Sequence, residues 1–283
     1  MFSVKAKGNK IILMKKILFI VLFTIFAGIS NNTKAQLFQG EAFVGLNICQ
    51  VDGDQMMGFY KKGVHAGVGV LTPIFKKNNF SMELSLEVLF NQKGALQGKK
   101  YKDGETIIWF GEETKVTGEY NMSLNYGEVP LILYLTDKKF ASVGVGVSYA
   151  RLMSIKEYAH EKESPITLYS GEYTRDEFNI IADVKIRIWK RLKLGARYSY
   201  SINPIGTRSW PNIKGEILGP FNQHNNLFTF RLTYVFNENL EDLIREEYHY
   251  KGDNPRYVEK ANEKALRKAQ RKEAREERKN RKN

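Results

Sequence analysis

The chain has 283 residues, with 44 Lys+Arg against 31 Asp+Glu and a formal net charge of +13. A basic total ordinarily raises nucleic-acid binding, but here the excess lies at the two ends. Residues 1–35 hold six lysines and no acid, residues 251–283 hold thirteen basic and six acidic residues, and 36–250 balances at 25 against 25. That balance removes a nucleic-acid partner from the expectations, and the lone Cys49 excludes an intramolecular disulfide framework.

Taken in chain order, the amino terminus reads first as an export signal. Lys10, Lys15 and Lys16 precede an unbroken apolar run, 17–29, and a polar stretch leads to Ala35 and Gln36. A basic head, a thirteen-residue apolar core and a small residue at the cut are the parts of a secretory signal peptide. The core is too short to span a membrane as a helix. Residues 1–35 are therefore set apart, with Met14, followed by Lys15 and Lys16, a better start than Met1.

Residues 36–237 form the body, and their pattern is alternation. In 80–92, Phe80, Met82, Leu84, Leu86, Val88 and Phe90 share one face, while Ser81, Glu83, Ser85, Glu87 and Asn91 share the other. Side chains change face at every residue of a strand, so this is one apolar and one polar wall. Eight such strands are expected at 40–50, 63–71, 80–92, 122–135, 140–152, 178–188, 192–202 and 227–236. The connections 73–79, 136–139 and 189–191 are short; 51–62, 93–121, 153–177 and 203–226 are long and rich in Gly, Asn and charge. Strict rotation of short turns and long loops, with strands of about ten residues, is the pattern of a transmembrane barrel. The fold class expected is all-β: an eight-stranded antiparallel up-and-down transmembrane β-barrel, closed because lipid satisfies no open sheet edge. An even strand count leaves both ends of the barrel on the periplasmic side.

A soluble lipocalin-type carrier shows the same alternation with the faces swapped, and stays as the alternative. Three features favour lipid outside. Glycines gather on the polar face (Gly45, Gly67, Gly69, Gly144, Gly146, Gly195), where a narrow lumen has little room. Charges of both signs share that face: Glu83, Glu87, Asp183, Lys185, Arg187, Arg197 and Arg231, joined by Glu128. They are expected to pair inside as a plug, with Glu128 meeting Arg197 or Arg231. Trp189, Tyr198, Tyr200, Phe228 and Phe236 lie near strand ends, as interfacial aromatic girdles do. Pro130, in mid-strand, calls for a bulge or a locally opened edge.

The last strand alternates Phe228, Phe230, Leu232, Tyr234 and Phe236, like a closing strand of an outer-membrane barrel. With Val44-Gly45-Leu46-Asn47-Ile48-Cys49-Gln50, Glu87-Val88-Leu89-Phe90-Asn91-Gln92-Lys93-Gly94, Tyr126-Gly127-Glu128-Val129-Pro130-Leu131 and Leu194-Gly195-Ala196-Arg197-Tyr198 in order, the body resembles the PorT-like outer-membrane β-barrel proteins of the Bacteroidota. The resemblance covers 36–236. It implies an integral outer-membrane protein and brings in type IX protein secretion, where the family's namesake acts.

Catalysis has thin support. His65 lies in a strand, His160 and His224 in outer loops and His249 in the tail; His160 and His224 beside Ser164 or Ser209 would be the nearest thing to a nucleophile and base. An enzyme acting on envelope lipids is the opposing class to the structural or accessory role expected here. No metal-spaced cluster or phosphate-cradling loop stands out, so no cofactor is expected. The tail, 238–283, is basic and partly helical, with Glu263 and Glu277 each four residues before an arginine. It is expected in the periplasm, either solvated or touching anionic lipid, cell-wall polymer or a partner in an envelope complex.

Overall fold

The computed structural model describes residues 38–238, apart from 57, 78–79, 103 and 110, together with 259, 263–264 and 266–267. Residues 1–37, with the expected signal peptide, and most of the tail lie outside the described residues; Glu259, Glu263, Lys264, Leu266 and Arg267 are helical.

The strands are β1 (Gln39–Asp52), β2 (Lys61–Lys77), β3 (Phe80–Lys93), β4 (Leu96–Gln97), β5 (Thr106–Trp109), β6 (Glu112–Lys115), β7 (Tyr120–Asp137), β8 (Ala141–Ala159), β9 (Lys162–Glu163), β10 (Asp176–Trp189), β11 (Leu192–Ser201), β12 (Gly206–Pro211) and β13 (Ile217–Phe236). Eight of them, β1, β2, β3, β7, β8, β10, β11 and β13, pair antiparallel in that order, and β13 returns to β1 with Gly40 opposite Phe236 and Asp52 opposite His224. These are the eight strands the alternation predicts. The ring has no edge, so its ladder groups are satisfied within the sheet.

Its faces are inverted relative to a soluble barrel. Leu46 is 63% and Val145 64% exposed on the outer face, while Glu87 and Arg231 are 0% and 1% exposed inside. A lipocalin-like carrier needs the opposite arrangement.

Several strands run longer than the pattern suggests. β2 continues past Pro73 to Lys77 because a register shift between Pro73 and Phe75 absorbs the proline. Pro130 opens the ladder as expected: β3 and β7 are in register from Leu86 opposite Leu131 to Leu89 opposite Glu128, with no partnered residues between. A second irregularity falls between Asn125 and Tyr126 against β8. At the other end of the strands the long loops are not irregular. β12 folds back on β13, β9 on β8 and β4 on β7, while β5 and β6 make a separate hairpin.

β7 marks the level at which its surroundings change. Outward-pointing Val129, Leu131, Leu133 and Leu135 are apolar; further toward the loops the same face carries Asn121, Ser123 and Asn125. Inside, the order reverses, with Tyr120, Met122 and Leu124 buried at the loop end and Glu128 and Thr136 below. One strand thus passes from an inverted barrel into an ordinary water-facing sheet.

Candidate functional site

The interior is built in tiers of paired charge. Near the short-turn end, Lys185 Nζ lies 2.7 Å from Glu41 Oε2, and Glu83 accepts from Ser81 at 2.9 Å and Thr136 at 3.0 Å. At the rim, the Arg187 guanidinium grips the Glu238 carboxylate with two hydrogen bonds of 2.9 and 2.6 Å.

At mid-height, two arginines and two acids close a ring. Arg197 donates to Glu87 at 2.8 and 2.9 Å and to Asp183 at 2.6 Å. Arg231 donates to Glu87 at 3.1 Å and to Asp183 at 2.8 Å, and also to the Tyr134 hydroxyl at 3.1 Å. All four charged side chains are 3% exposed or less. Charge-assisted, forked bonds of this kind let a guanidinium be buried. Their geometry depends on glycine. Arg231 sits opposite Gly45 on one neighbour and Gly195 on the other. A Cβ on Gly45 would fall 2.4 Å from the Phe230 carbonyl oxygen and 2.8 Å from Arg231 Cβ. The polar-face glycines thus leave the space that the long side chains occupy; Tyr134 likewise lies over Gly144.

Above this ring, Lys93 Nζ bridges Glu177 at 2.7 Å and Glu128 at 3.3 Å. Glu128 also accepts from Asn91 at 2.7 Å and Ser148 at 2.5 Å. The expected pairing of Glu128 with Arg197 or Arg231 is therefore corrected: its cation is Lys93, on the neighbouring strand β3, four residues toward the loops from Leu89, which stands opposite Glu128. Asn47 extends this tier, donating to Asn91 Oδ1 at 2.6 Å and accepting from Thr229 at 2.7 Å.

All eight residues singled out from the sequence point inward or, for Arg187, to the rim, but they divide among these tiers rather than forming one network. Glu41, Lys93, Glu177 and Tyr134 join these tiers without having been expected from the sequence. Glu41, Lys93 and Glu177 sit near strand ends, and their polar-face parity was the signal that would have found them. Cys49 is buried on the interior face with its Sγ 3.8 Å from the Gln92 carbonyl oxygen.

The loop-end interior is a hydrophobic core. Tyr120, Met122, Leu124 and Leu152 from the ring pack with Ile166, Tyr173, Ile205 and Trp210 from the loops. Within it, Arg208 bonds Glu157 at 2.6 Å and the Tyr173 hydroxyl donates to Glu157 at 3.0 Å. Burial, reinforced by the Glu157 carboxylate, pushes the Tyr173 hydroxyl up, so it stays a donor. In the 53–60 loop, burial pushes the Asp54 carboxyl up to about 7, with Asp52 adding repulsion, although Asp54 Oδ1 accepts from Met56 N–H at 2.8 Å.

The histidines fall apart in space by partner. His65 is interior, stacked on Phe43 and 3.3 Å from Asn91 Oδ1. His160 packs edge-on against Trp109, and His224 stacks on Tyr200 with Nδ1 3.0 Å from the Ser201 carbonyl oxygen. Ser164 Oγ accepts from the Ile166 N–H. His249 lies outside the described residues. Among the described residues no group of three metal-ligating side chains gathers.

No family model matches the chain, and no characterised protein matches it in sequence. Solved structures of similar architecture include Ail, the attachment invasion locus protein of Yersinia pestis, at 10% identity over 70% of this chain and 98% of that one, with a TM-score of 0.33. Neisserial surface protein A aligns at 10% identity over 72% and 99%, with a TM-score of 0.34. A major outer membrane protein from Thermus thermophilus aligns at 14% identity over 70% and 99%, with a TM-score of 0.37.

Proposed function

We propose that this chain is an integral outer-membrane β-barrel whose interior is closed by ion-paired side chains, and that it serves a structural or accessory role in the envelope. The observation that carries this reading is the inversion of the barrel. Arg197, Arg231, Glu87 and Asp183 are buried inside while Leu46, Val145 and Phe230 stand exposed outside, an arrangement stable only where lipid covers the outer face.

Eight strands leave a lumen that side chains fill, and the tiers described above fill it from the rim to the loop-end core. That filling argues against a diffusion pore. The membrane fraction should yield a band that migrates faster unheated than boiled, and purified protein in a planar bilayer should give no steady conductance. A soluble periplasmic band would reverse the faces; steady open conductance would overturn the plug.

The sequence resemblance to PorT-like proteins favours membership of a protein-secretion assembly, with the loop end outside and the tail in the periplasm. Cross-linking of full-length protein in cells, followed by identification of co-purified envelope proteins, tests it. Recovery of the barrel alone would count against it.

A further inference from the structure

Beside each of the three short turns two adjacent cations stand next to an aromatic residue: Lys76 and Lys77 at the end of β2 near Phe80, Lys138 and Lys139 before Phe140, Lys190 and Arg191 after Trp189. Phe80, Phe140 and Trp189 are exposed, 58–67% of each being accessible. The turns join β2 to β3, β7 to β8 and β10 to β11, so they occupy every second gap around the ring; the fourth such gap holds the start of β1 and the end of β13.

Backbone conformation makes the basic residues unexpected. Phe140 N–H bonds the Asp137 carbonyl oxygen at 2.8 Å, closing a two-residue turn in which Lys138 and Lys139 both have positive φ, 46° and 55°. Such turns favour Asn-Gly, and lysine is strained there. Turn geometry therefore selects against lysine at 138 and 139. The three turns and the strand ends beside them bring six cations and one acid, Asp137, to this end of the barrel, where Arg191 already donates to the Glu238 carbonyl oxygen at 3.2 Å. The loop end has ion pairs of its own, Lys99 on Glu161, Lys162 on Glu112 and Arg151 on Asp176, as the rim has Arg187 on Glu238.

We propose that the short-turn rim binds the phosphates of anionic phospholipid headgroups in the leaflet it faces, an inference that rests on the outer-membrane reading above. The exposed rings set the height, since aromatic residues of membrane proteins lie at the headgroup level. The cations follow within a few residues, which puts them at phosphate depth, where basic side chains are attracted to anionic lipid. Three sites spread around a ring suit a shell of separate lipids and not one compact ligand. A rival occupant exists in the sequence: Glu238 already holds Arg187, and Glu241, Asp242, Glu246 and Glu247 follow it.

The test uses the full-length protein in phosphatidylcholine vesicles containing spin-labelled phosphatidylglycerol or spin-labelled phosphatidylcholine. The protein should hold the labelled phosphatidylglycerol in its boundary shell several-fold more than the neutral label. Lys76→Gln, Lys77→Gln, Lys138→Asn, Lys139→Gly and Lys190→Gln together should bring that ratio close to one. Lys138→Asn with Lys139→Gly suits the left-handed turn, so on its own it should lower the ratio without loss of folding. The heat-dependent gel shift, read in the same samples, separates failure of the barrel from failure of the rim. Equal retention of the two labels by wild-type protein, or a ratio untouched by the five substitutions, would overturn the proposal. So would a preference that emerges only after Glu241, Asp242, Glu246 and Glu247 are changed to glutamine or asparagine, since the rim would then belong to that segment. Inorganic phosphate and chloride at matched ionic strength should lower the ratio equally; a loss specific to phosphate would assign the rim to the free ion instead.

Discussion

The mid-barrel interior and the loop-end interior belong to the same eight strands but are filled in opposite ways. At mid-height the occupants are Glu87, Asp183, Arg197 and Arg231, bonded to one another across the lumen. At the loop end they are Tyr120, Met122, Leu124 and Leu152, packed on loop residues. The outer faces change in step, from Leu131 and Leu133 to Asn121 and Ser123 along β7. Where the outside is lipid, burying apolar groups inside gains nothing over leaving them outside, and the interior is free to use forked ion pairs that fix which strand faces which. Where the outside is water, the hydrophobic effect restores the ordinary inside-out order.

Breaking the ion ring should have the largest effect. Arg231→Met leaves Glu87 and Asp183 short of a partner in a buried site and should cost about 3–5 kcal/mol. Urea unfolding of the reconstituted protein, followed by tryptophan fluorescence, measures it. Adding Asp183→Asn to Arg231→Met should recover part of the loss. In the loop-end core, Leu124→Ala should cost about 2–5 kcal/mol by cavity formation, while the heat-dependent gel shift of the membrane-level barrel persists. Equal damage from Leu124→Ala to both would mean the two regions form one cooperative unit.

Smaller substitutions sharpen the contrast. Gly45→Ala pushes a Cβ against the Phe230 carbonyl and Arg231 and should cost about 1–3 kcal/mol, again read by urea unfolding. The smallest effect concerns the 53–60 loop. Because the folded-state Asp54 carboxyl is raised to about 7, from 3.8, the folded loop binds more protons than the unfolded one between those values. Its stability should therefore fall as pH rises from about 4 to 7 and level off above. Amide exchange in the loop should show that trend, and Asp54→Asn should flatten it.

Much of the barrel was legible because a two-residue period survives in every strand; 80–92 alone displays it, and all eight strands stand where the alternation puts them. The inward charges could be listed by parity. Their partners could not, since parity names the face and not the partner: Glu128 meets Lys93 of the neighbouring strand, which the sequence pattern leaves in a loop, instead of an arginine from farther round the ring. The loop-end core was hidden for another reason. β4 and β9 are two residues long, too short for any period to register, and Tyr120, Ile166 and Trp210 come together only after the loops fold back. Pro73 misled because proline normally ends a strand, whereas here a bulge accommodates it.

β7 crosses from lipid to water along one face. Spin labels attached to single cysteines replacing Ser123 or Leu133, in a Cys49→Ser background, test it directly through relaxation by oxygen and by a water-soluble nickel complex. The label at 133 should respond chiefly to oxygen and the label at 123 chiefly to nickel. Two labels equally open to nickel would mean that no lipid covers the apolar face, and the inverted-barrel account would be wrong.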